Sequence, residues 1–407
     1  MVESGRAAHA HSLELFFDYT CPYAYLASTQ ARELAARMGL ALTYKPLLLG
    51  GVFKAVGTAQ NLSETLGPAK AAHNWADMAR WARRFGVALE MPAGHPFRSV
   101  EALRATLATQ IDPKVVDGFY AAYWRANEDI GDRAVIARVL REAGHDPDEV
   151  LARSATPEIK NELRTRTDEA IARGVFGVPT FFVDGEHMYW GQDRIDFVEG
   201  VTATARPITA KSGTRVTFYW DFSSPFAYLA AAEVSALAAR TGAVIEERPI
   251  LLGGLFRTLG TADVPLATFS AAKQAYILKD IVRWCERRGL PFAWPSRFPM
   301  RSLAALRVWI ALPPSHRTTF RDAVFRAAWG EDRDIEDVAL LASLVGDEAI
   351  AKDAIAKMAS DDVKATLRAN TDEAQARGVF GVPSFVVDGE VYWGQDRMIL
   401  VEEAISA

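Results

Sequence analysis

Hydrophobic and polar positions follow the same order twice along the chain. In each half a continuous apolar run, LELFFDY or RVTFYWDF, predicts a buried strand, and the Ala- and Leu-rich stretch after the next turn predicts a helix. A second strand leads into KPLLLGG or RPILLGG, and a long middle part has apolar residues at helical spacing. GVPTFFVDG and GVPSFVVDGEVYW then predict a β-hairpin, followed by a last helix near GQDR.

The two halves also match letter by letter. FFDYTCPYAYLAS (16–28) is echoed by YWDFSSPFAYLAA (219–231), and ARGVFGVPTFFVDGE by ARGVFGVPSFVVDGE (376–390). The offset is 203 for the Asp before the first turn (18 and 221) and 204 for the late proline (179 and 383). Such a long period indicates duplication of a whole domain rather than of a short solenoid unit.

This order of elements predicts the fold. Strand, helix and strand first, a helical insert next, and a hairpin and helix last are typical of a thioredoxin-like α/β domain. We therefore predict an α/β chain of two tandem thioredoxin-like domains, each with an inserted helical subdomain, over residues 1–207 and 213–407. ARPITAKSG (205–213) is the predicted linker, because its Pro, Gly and small polar residues interrupt both periodicities.

Composition narrows the class of protein. The 407 residues are 50% apolar and 24% charged, and the net charge of −5 is spread over both signs, which argues against a nucleic-acid or membrane-surface partner. The N-terminus lacks a secretory pattern, and no segment has the roughly 20 apolar residues of a membrane span. With only two cysteines a disulfide framework is excluded, so we expect a reducing cytoplasm.

The candidate chemistry lies at the first turn of each repeat. Cys21 and Ser224 occupy equivalent positions at the end of the first strand, immediately before Pro22 and Pro225. Proline favours the first helical position, so both residues should lie at a helix N-terminus, where free N–H groups stabilise an anion. A cysteine there is expected to tend towards the thiolate, whereas a serine can donate a hydrogen bond to an incoming thiolate.

Simpler roles are open for the same residues. The simpler interpretation of Ser224, and the favoured one for that residue alone, is that it caps the helix and has no other role. Cysteine is a poor cap, however, so capping does not explain both repeats. Cys21 can be a small buried hydrophobic residue, although Cys285, beside a tryptophan in a helix, suits that role better.

Two further motifs recur near the end of each repeat. GVFGVP precedes Pro179 and Pro383, where a Val-Pro bond can be cis or can simply start an edge strand. WGQDR (190–194 and 393–397) places Gln and Asp before a helix, either as caps or as ligands for an ammonium and a carboxylate group. The sequence contains no glycine-rich phosphate loop, nucleophile elbow or His/Cys metal spacing, so we expect no metal site.

Together these motifs resemble the DsbA-like superfamily. DFSSPFAYLA, GVFGVPSFVVDGEVYWGQDR and RWCERRGLPFAWP are similar to the branch with 2-hydroxychromene-2-carboxylate isomerases and kappa-class glutathione transferases, over nearly all of the second repeat. The first repeat matches almost as completely. The resemblance implies glutathione as cofactor, a small-molecule substrate and a catalytic serine that contacts the glutathione sulfur.

The resemblance also assigns roles to individual positions. The catalytic position falls on Ser224 and, in the first repeat, on Cys21. The cofactor-side positions, which hold the cysteinyl and γ-glutamyl parts of glutathione, are Val382, Pro383, Gln395 and Asp396, with Val178, Pro179, Gln192 and Asp193 in the first repeat. The substrate-side candidates, which are basic or aromatic, are Lys54, Arg257, Lys70, Lys273, Phe298 and His95.

Three features depart from the family pattern. Cys21 replaces the serine, without a second cysteine to form a disulfide. Both repeats read GTA (57–59 and 260–262) where the family often has Gly-Asn and prolines, so that a ligand contact is in doubt. The family enzymes are usually single-domain homodimers, which suggests that the two repeats form an intrachain pseudo-dimer.

The resemblance, together with a serine at a turn that has no thiol, implies a glutathione-dependent isomerase of aromatic or unsaturated 2-oxo acids that works in aromatic catabolism, with Ser224 as its site. A kappa-like transferase would use the same site with another acceptor. Monothiol oxidoreductase chemistry at Cys21, or a repeat that only serves as scaffold, are the alternatives. Because two close thiolates repel each other, Cys21 must stay protonated to do the work of the serine.

Overall fold

The computed structural model describes residues 12–60, 65–201, 210 and 213–406. These residues form two compact units: 12–60, 65 and 75–201 in the first, and 66–74, 210 and 213–406 in the second. Residues 205–209 and 211–212 of the predicted linker lie outside the described residues, and the predicted domain bounds stay a prediction.

Each repeat contains one four-stranded mixed sheet. The strands of the first sheet are β1 (Ser12–Phe17), β2 (Ala41–Pro46), β3 (Thr180–Val183) and β4 (His187–Trp190). Those of the second are β5 (Arg215–Trp220), β6 (Val244–Pro249), β7 (Ser384–Val387) and β8 (Glu390–Trp393). The orders are β2-β1-β3-β4 and β6-β5-β7-β8, with the first pair parallel and the others antiparallel.

The central strands explain the continuous apolar runs of the sequence. β1 pairs Leu15 with Tyr44 on one side and Phe181 on the other, and β5 is held in the same way by β6 and β7. A strand that is covered on both faces needs apolar residues at successive positions, and Phe16 and Phe17 are accordingly both buried. The predicted hairpins correspond to β3–β4 and β7–β8.

Helices surround the two sheets. In the first repeat they are α1 (Pro22–Met38), α2 (Leu49–Ala55), α3 (Pro68–Phe85), α4 (Val100–Ala108), α5 (Pro113–Trp124), α6 (Arg133–Ala143), α7 (Pro147–Ser154), α8 (Pro157–Ala172) and α9 (Ile195–Glu199). In the second they are α10 (Pro225–Thr241), α11 (Leu252–Leu259), α12 (Ala271–Arg287), α13 (Leu303–Ala311), α14 (Pro314–Gly330), α15 (Val338–Val345), α16 (Glu348–Lys357), α17 (Asp361–Ala376) and α18 (Met398–Ser406).

The helices that follow the second strand form the predicted insert, since α2–α8 and α11–α17 lie between the parallel pair and the hairpin. Their starts follow local chemistry: Asp132 and Asp337 each accept a backbone N–H at a first turn, and proline begins α5 and α7. The predicted architecture of two thioredoxin-like domains with helical inserts is confirmed. None of the described helices is long and apolar enough to cross a membrane.

Candidate active site

The two predicted catalytic residues lie where the sequence places them. Cys21 and Ser224 directly precede the helices α1 and α10, with extended backbone angles (φ −95° and −109°) and proline next in the chain. Both side chains are buried, with 9% and 5% of the residue exposed. The end of the first strand therefore brings each residue to a helix N-terminus inside the domain.

The Cys21 thiol is held in its protonated form. Its Sγ donates a hydrogen bond to the carbonyl oxygen of Val178 at 3.1 Å. Burial raises the pKa of Cys21 to about 12, although the N–H dipoles of Ala24 and Tyr23 favour the thiolate. The expectation that the helix end ionises this cysteine is wrong, because the loss of solvation exceeds the effect of the backbone dipoles.

The Ser224 hydroxyl combines two roles. Oγ accepts the backbone N–H of Ala227 at 3.3 Å, which makes it the cap of α10, and donates to the carbonyl oxygen of Val382 at 3.3 Å. Cys21 makes no such cap. Both contacts of Ser224 are long for hydrogen bonds of their type, so the hydroxyl hydrogen can turn to another acceptor at small cost.

The GVFGVP segments face these turns in both repeats. The Val178–Pro179 and Val382–Pro383 bonds are cis, and the valine carbonyls accept the thiol and the hydroxyl. Within the described residues neither valine N–H has a hydrogen-bond partner. Each segment thus offers an unused backbone donor within one residue of the turn contact, as an extended ligand would need.

A buried aspartate lies beneath each turn, and no role was predicted for it from the sequence. Asp221 accepts the N–H groups of Ser223 at 2.9 Å and Leu252 at 2.8 Å, and Asp18 accepts those of Thr20 and Leu49. Burial raises the pKa of both carboxyl groups, against these hydrogen bonds. The signal was the Asp that recurs three residues before Cys21 and Ser224. It fixes the turn to the start of the next helix.

The WGQDR segments supply further polar atoms. Gln192 and Gln395 are 3% and 1% exposed, and within the described residues Nε2 of Gln192 and Oε1 of Gln395 have no hydrogen-bond partner. Both segments form short 3-10 turns, Gln192–Arg194 and Gln395–Arg397, and no side chain caps the residue before either turn. Buried amide atoms without partners are costly, which fits a polar ligand group at this place.

The neighbouring acidic residues are engaged with arginines. Asp193 lies 3.1 Å from Arg194 and Asp396 lies 3.0 Å from Arg397, in pairs that are largely buried. These carboxylates are therefore held in place beside the glutamines, and the family resemblance assigns both residue types to the γ-glutamyl part of glutathione.

The basic candidates divide into two groups. Lys54 and Arg257 are exposed at the ends of α2 and α11, and Arg257 Nε donates to the carbonyl oxygen of Gly253 at 3.4 Å. Lys70 is partly buried, with its ammonium 5.2 Å from the ring centre of Trp393. Burial lowers the pKa of Lys70, and burial together with the charge of Lys70 lowers that of Lys273 to about 8.

The aromatic candidate of the first repeat is tied to the turn. His95 Nδ1 lies 2.7 Å from the Tyr123 hydroxyl, and the His95 ring is 5.4 Å from that of Trp124. The indole of Trp124 donates to the carbonyl oxygen of Tyr19 at 2.7 Å, two residues before Cys21. Burial lowers the pKa of His95, which keeps the ring neutral near pH 7.

The equivalent loop of the second repeat is rich in aromatic residues. Phe298 packs 4.9 Å from Trp294 and 6.2 Å from Trp329, measured between ring centres. Trp329 donates to the carbonyl oxygen of Phe222 at 2.8 Å, again two residues before the turn residue, here Ser224. An aromatic surface with Trp294 36% exposed thus stands behind the Ser224 turn. Over the described ranges, no group of three or more His, Cys, Asp or Glu side chains is placed to hold a metal ion.

Comparison with known proteins places this geometry in a family. The model of the DSBA-like thioredoxin domain matches the chain twice, over residues 12–202 and 215–406. A 2-hydroxychromene-2-carboxylate isomerase of Sphingobium xenophagum is 30% identical over 190 residues, which are 46% of this chain and 96% of that protein. Glutathione S-transferase kappa 1 of Homo sapiens is 26% identical over 203 residues, or 46% of this chain and 88% of that protein.

A solved structure of a 2-hydroxychromene-2-carboxylate isomerase is 28% identical and covers 47% of this chain and 94% of its own, with a TM-score of 0.41. The two sequence relatives each span about half of this chain, in agreement with the duplication. The chain belongs to the DSBA-like thioredoxin domain family, as a tandem duplication whose relatives are 2-hydroxychromene-2-carboxylate isomerases and kappa-class glutathione transferases.

Proposed function

We propose that the chain is a glutathione-dependent isomerase of aromatic or unsaturated 2-oxo acids, with its working site at Ser224. The observation that carries the proposal is a buried serine hydroxyl at a helix N-terminus, 3.3 Å from the Val382 carbonyl, at a turn that has no protein thiol. Relatives at 30% identity that are named 2-hydroxychromene-2-carboxylate isomerase support the type of reaction.

The turn suits a sulfur anion that arrives with a ligand. The hydroxyl of Ser224 is a donor whose present bond is weak, and the first N–H groups of the 17-residue helix α10 add a positive potential. A thiolate placed there would gain one charge-assisted hydrogen bond and a favourable dipole. The chain thereby lowers the free energy of the thiolate form, which is the minor form of a free thiol at neutral pH.

The remaining polar atoms fit glutathione along its length. The Val382 N–H is open to pair with the cysteinyl part, and the amide of Gln395 is open to the γ-glutamyl part. When bound, glutathione would supply a nucleophilic thiolate that adds to a conjugated double bond and leaves again after rotation about the resulting single bond.

The side chains around the turn would bind the substrate. The aromatic surface formed by Phe298, Trp294 and Trp329 offers stacking to a planar acid. Lys70 and Lys273, partly buried beside aromatic rings, are better placed than the exposed Lys54 and Arg257 to pair with a desolvated carboxylate. Such a cation would also stabilise the negative charge that develops on the 2-oxo group.

The test is an isomerisation assay with 2-hydroxychromene-2-carboxylate, with and without glutathione. We expect Ser224→Ala to lower kcat/KM by about 100-fold, the usual effect of deleting one donor to a reacting anion. Cys21→Ala should leave the rate nearly unchanged. Ser360→Ala is the matched control, because Ser360 caps α17 with a similar 3.4 Å bond and lies outside the turn.

The outcomes separate the candidates. Full activity of Ser224→Ala with glutathione would contradict the role of the serine. Activity that needs no glutathione would contradict the cofactor. If the isomerase substrate is inert but glutathione is transferred to an electrophile at Ser224, the kappa-like transferase is the correct member of the family, in line with the relatives of that name.

A further inference from the structure

One buried arginine in the second repeat has no equivalent in the first. Arg288 directly follows α12 as its C-cap residue, and its side chain is 8% exposed. Its guanidinium lies 4.7 Å from the ring centre of Trp284. At the position 203 residues earlier the first repeat has Phe85, whose ring is 5.4 Å from Trp81, the equivalent of Trp284. The two repeats therefore fill the same space with a cation in one case and a hydrocarbon ring in the other.

The guanidinium points towards the second WGQDR segment. Nη2 of Arg288 donates to the carbonyl oxygen of Gln395 at 3.3 Å, and Nε lies 3.6 Å from Oε1 of Glu233. Glu233 is replaced by Gln30 in the first repeat, so the cation and its partner differ together. Burial lowers the pKa of Arg288 to about 10, which leaves it charged at neutral pH.

Two buried polar atoms at this place are unused. Within the described residues, Nη1 of Arg288 and Oε1 of Gln395 have no hydrogen-bond partner. One is a charged donor and the other a neutral acceptor. A buried charged donor without an acceptor is unfavourable, and a carboxylate is the group that a guanidinium binds best. An acceptor beside it suits an ammonium group.

We propose that Arg288 and Gln395 form, in the second repeat only, a binding site for the carboxylate and ammonium of an α-amino acid. Nη1 of Arg288 receives the carboxylate, and Oε1 of Gln395 accepts a hydrogen bond from the ammonium. This inference rests on the proposed function, in which the amino acid end is the γ-glutamyl group of glutathione. It makes the repeats unequal: Phe85 and Gln30 leave the first repeat without the cation.

A purely structural role predicts something different. If Arg288 only ties the end of α12 to the loop at Gln395, its loss lowers the stability of the fold and weakens every ligand of the site alike. If it binds the carboxylate, its loss removes the preference for ligands that carry one. Ligand selectivity distinguishes these roles, whereas stability does not.

The experiment is calorimetric titration of the full chain with glutathione and with 4-aminobutyryl-cysteinyl-glycine, which lacks only the α-carboxylate. We expect the wild-type chain to bind glutathione about 10- to 100-fold more tightly than the analogue, the range of one hydrogen-bonded ion pair. Arg288→Phe places the residue of the first repeat at this position. This variant should bind glutathione as weakly as the wild-type chain binds the analogue, and its affinity for the analogue should not change. Arg326→Gln, at an exposed ion pair, is the control for lost charge.

Each outcome of the titrations either supports or overturns the proposal. Loss of selectivity in Arg288→Phe with retained selectivity in Arg326→Gln supports the proposal. Equal binding of both ligands by the wild type, or retained selectivity in a folded Arg288→Phe, overturns it while glutathione binding itself stands. If Arg288→Phe does not fold, Arg288→Lys takes its place, and it should keep part of the selectivity while binding glutathione more weakly than the wild type. Unchanged glutathione binding by Arg288→Lys would overturn the proposal. No binding of glutathione by the wild type refutes the proposed function and the inference with it.

Discussion

The protonation state of Cys21 decides whether the first repeat can carry out thiol chemistry. The sulfur is buried, donates to the Val178 carbonyl oxygen at 3.1 Å, and has a pKa raised to about 12. At pH 8 such a thiol has about a thousandth of the thiolate of a thiol with a pKa of 9. We therefore predict that Cys21 is inert as a nucleophile in the folded chain.

The measurement uses the ultraviolet absorbance of the thiolate during an alkaline titration. Cys285→Ala removes the second thiol and is a mild change, because the first repeat has Ala82 at the same place. The signal of Cys21 is the difference between this variant and one that also carries Cys21→Ala, which cancels the tyrosines. The rate of Cys21 alkylation at pH 8, measured for the folded chain and for the chain in denaturant, is an independent test. We expect the folded chain to react at least about 100-fold more slowly than the denatured chain.

The sign of the pH effect on stability follows from the same shift. The folded chain keeps the thiol proton to a higher pH than the unfolded chain does, so the free energy of unfolding falls as the pH rises from 9 towards 12, and Cys21→Ala removes that part of the decline. A titration midpoint below pH 9, or folded-state alkylation as fast as in denaturant, would refute the reasoning and restore a redox role for Cys21.

Three further changes test the packing of the second repeat by denaturant unfolding. Asp221→Ala should cost about 2–4 kcal/mol, since it leaves the part-buried N–H groups of Leu252 and Ser223 without their acceptor. Burial raises the pKa of Asp221, so the wild type should lose stability as the pH rises above about 4, and Asp221→Asn should not show that loss. Trp329→Phe removes the 2.8 Å bond to the Phe222 carbonyl and should cost about 1–2 kcal/mol. Arg321→Met deletes a fully buried guanidinium between two carboxylates and should cost about 3 kcal/mol. A loss of stability below about 1 kcal/mol in Asp221→Ala, Trp329→Phe or Arg321→Met would contradict the stabilising role given to that residue's contacts.

The fold was predictable because the sequence contains the same pattern of strands and helices twice. Continuous apolar runs mark β1 and β5, and proline after the turn marks the starts of α1 and α10, so the positions of Cys21 and Ser224 follow from local pattern alone. The long helical inserts carry ordinary helical spacing. Because the predicted elements occur in the same order in both repeats, a misleading local pattern in one repeat can be recognised by comparison with the other.

The electrostatics of the site were not predictable in the same way. The local signal at Cys21, a helix N-terminus, favours the thiolate, while the deciding factor is burial by residues far away in the sequence, such as Val178. The contact between Arg288 and Gln395 joins residues 107 positions apart. Such properties depend on tertiary packing, which no local pattern contains.

Comparison of the repeats with each other recovers part of this missing information. The scaffold is the same in both, so a position that differs within it, such as Phe85 against Arg288, isolates one chemical change on a constant background. Two differences point the same way: the first repeat has a protonated, hydrogen-bonded thiol at Cys21 and has Phe85 at the place of Arg288. The second repeat has the weakly held hydroxyl and the cation together, which is the combination that a thiol ligand with a charged amino acid end requires. One duplicated scaffold thus carries different polar groups at equivalent positions of its two repeats.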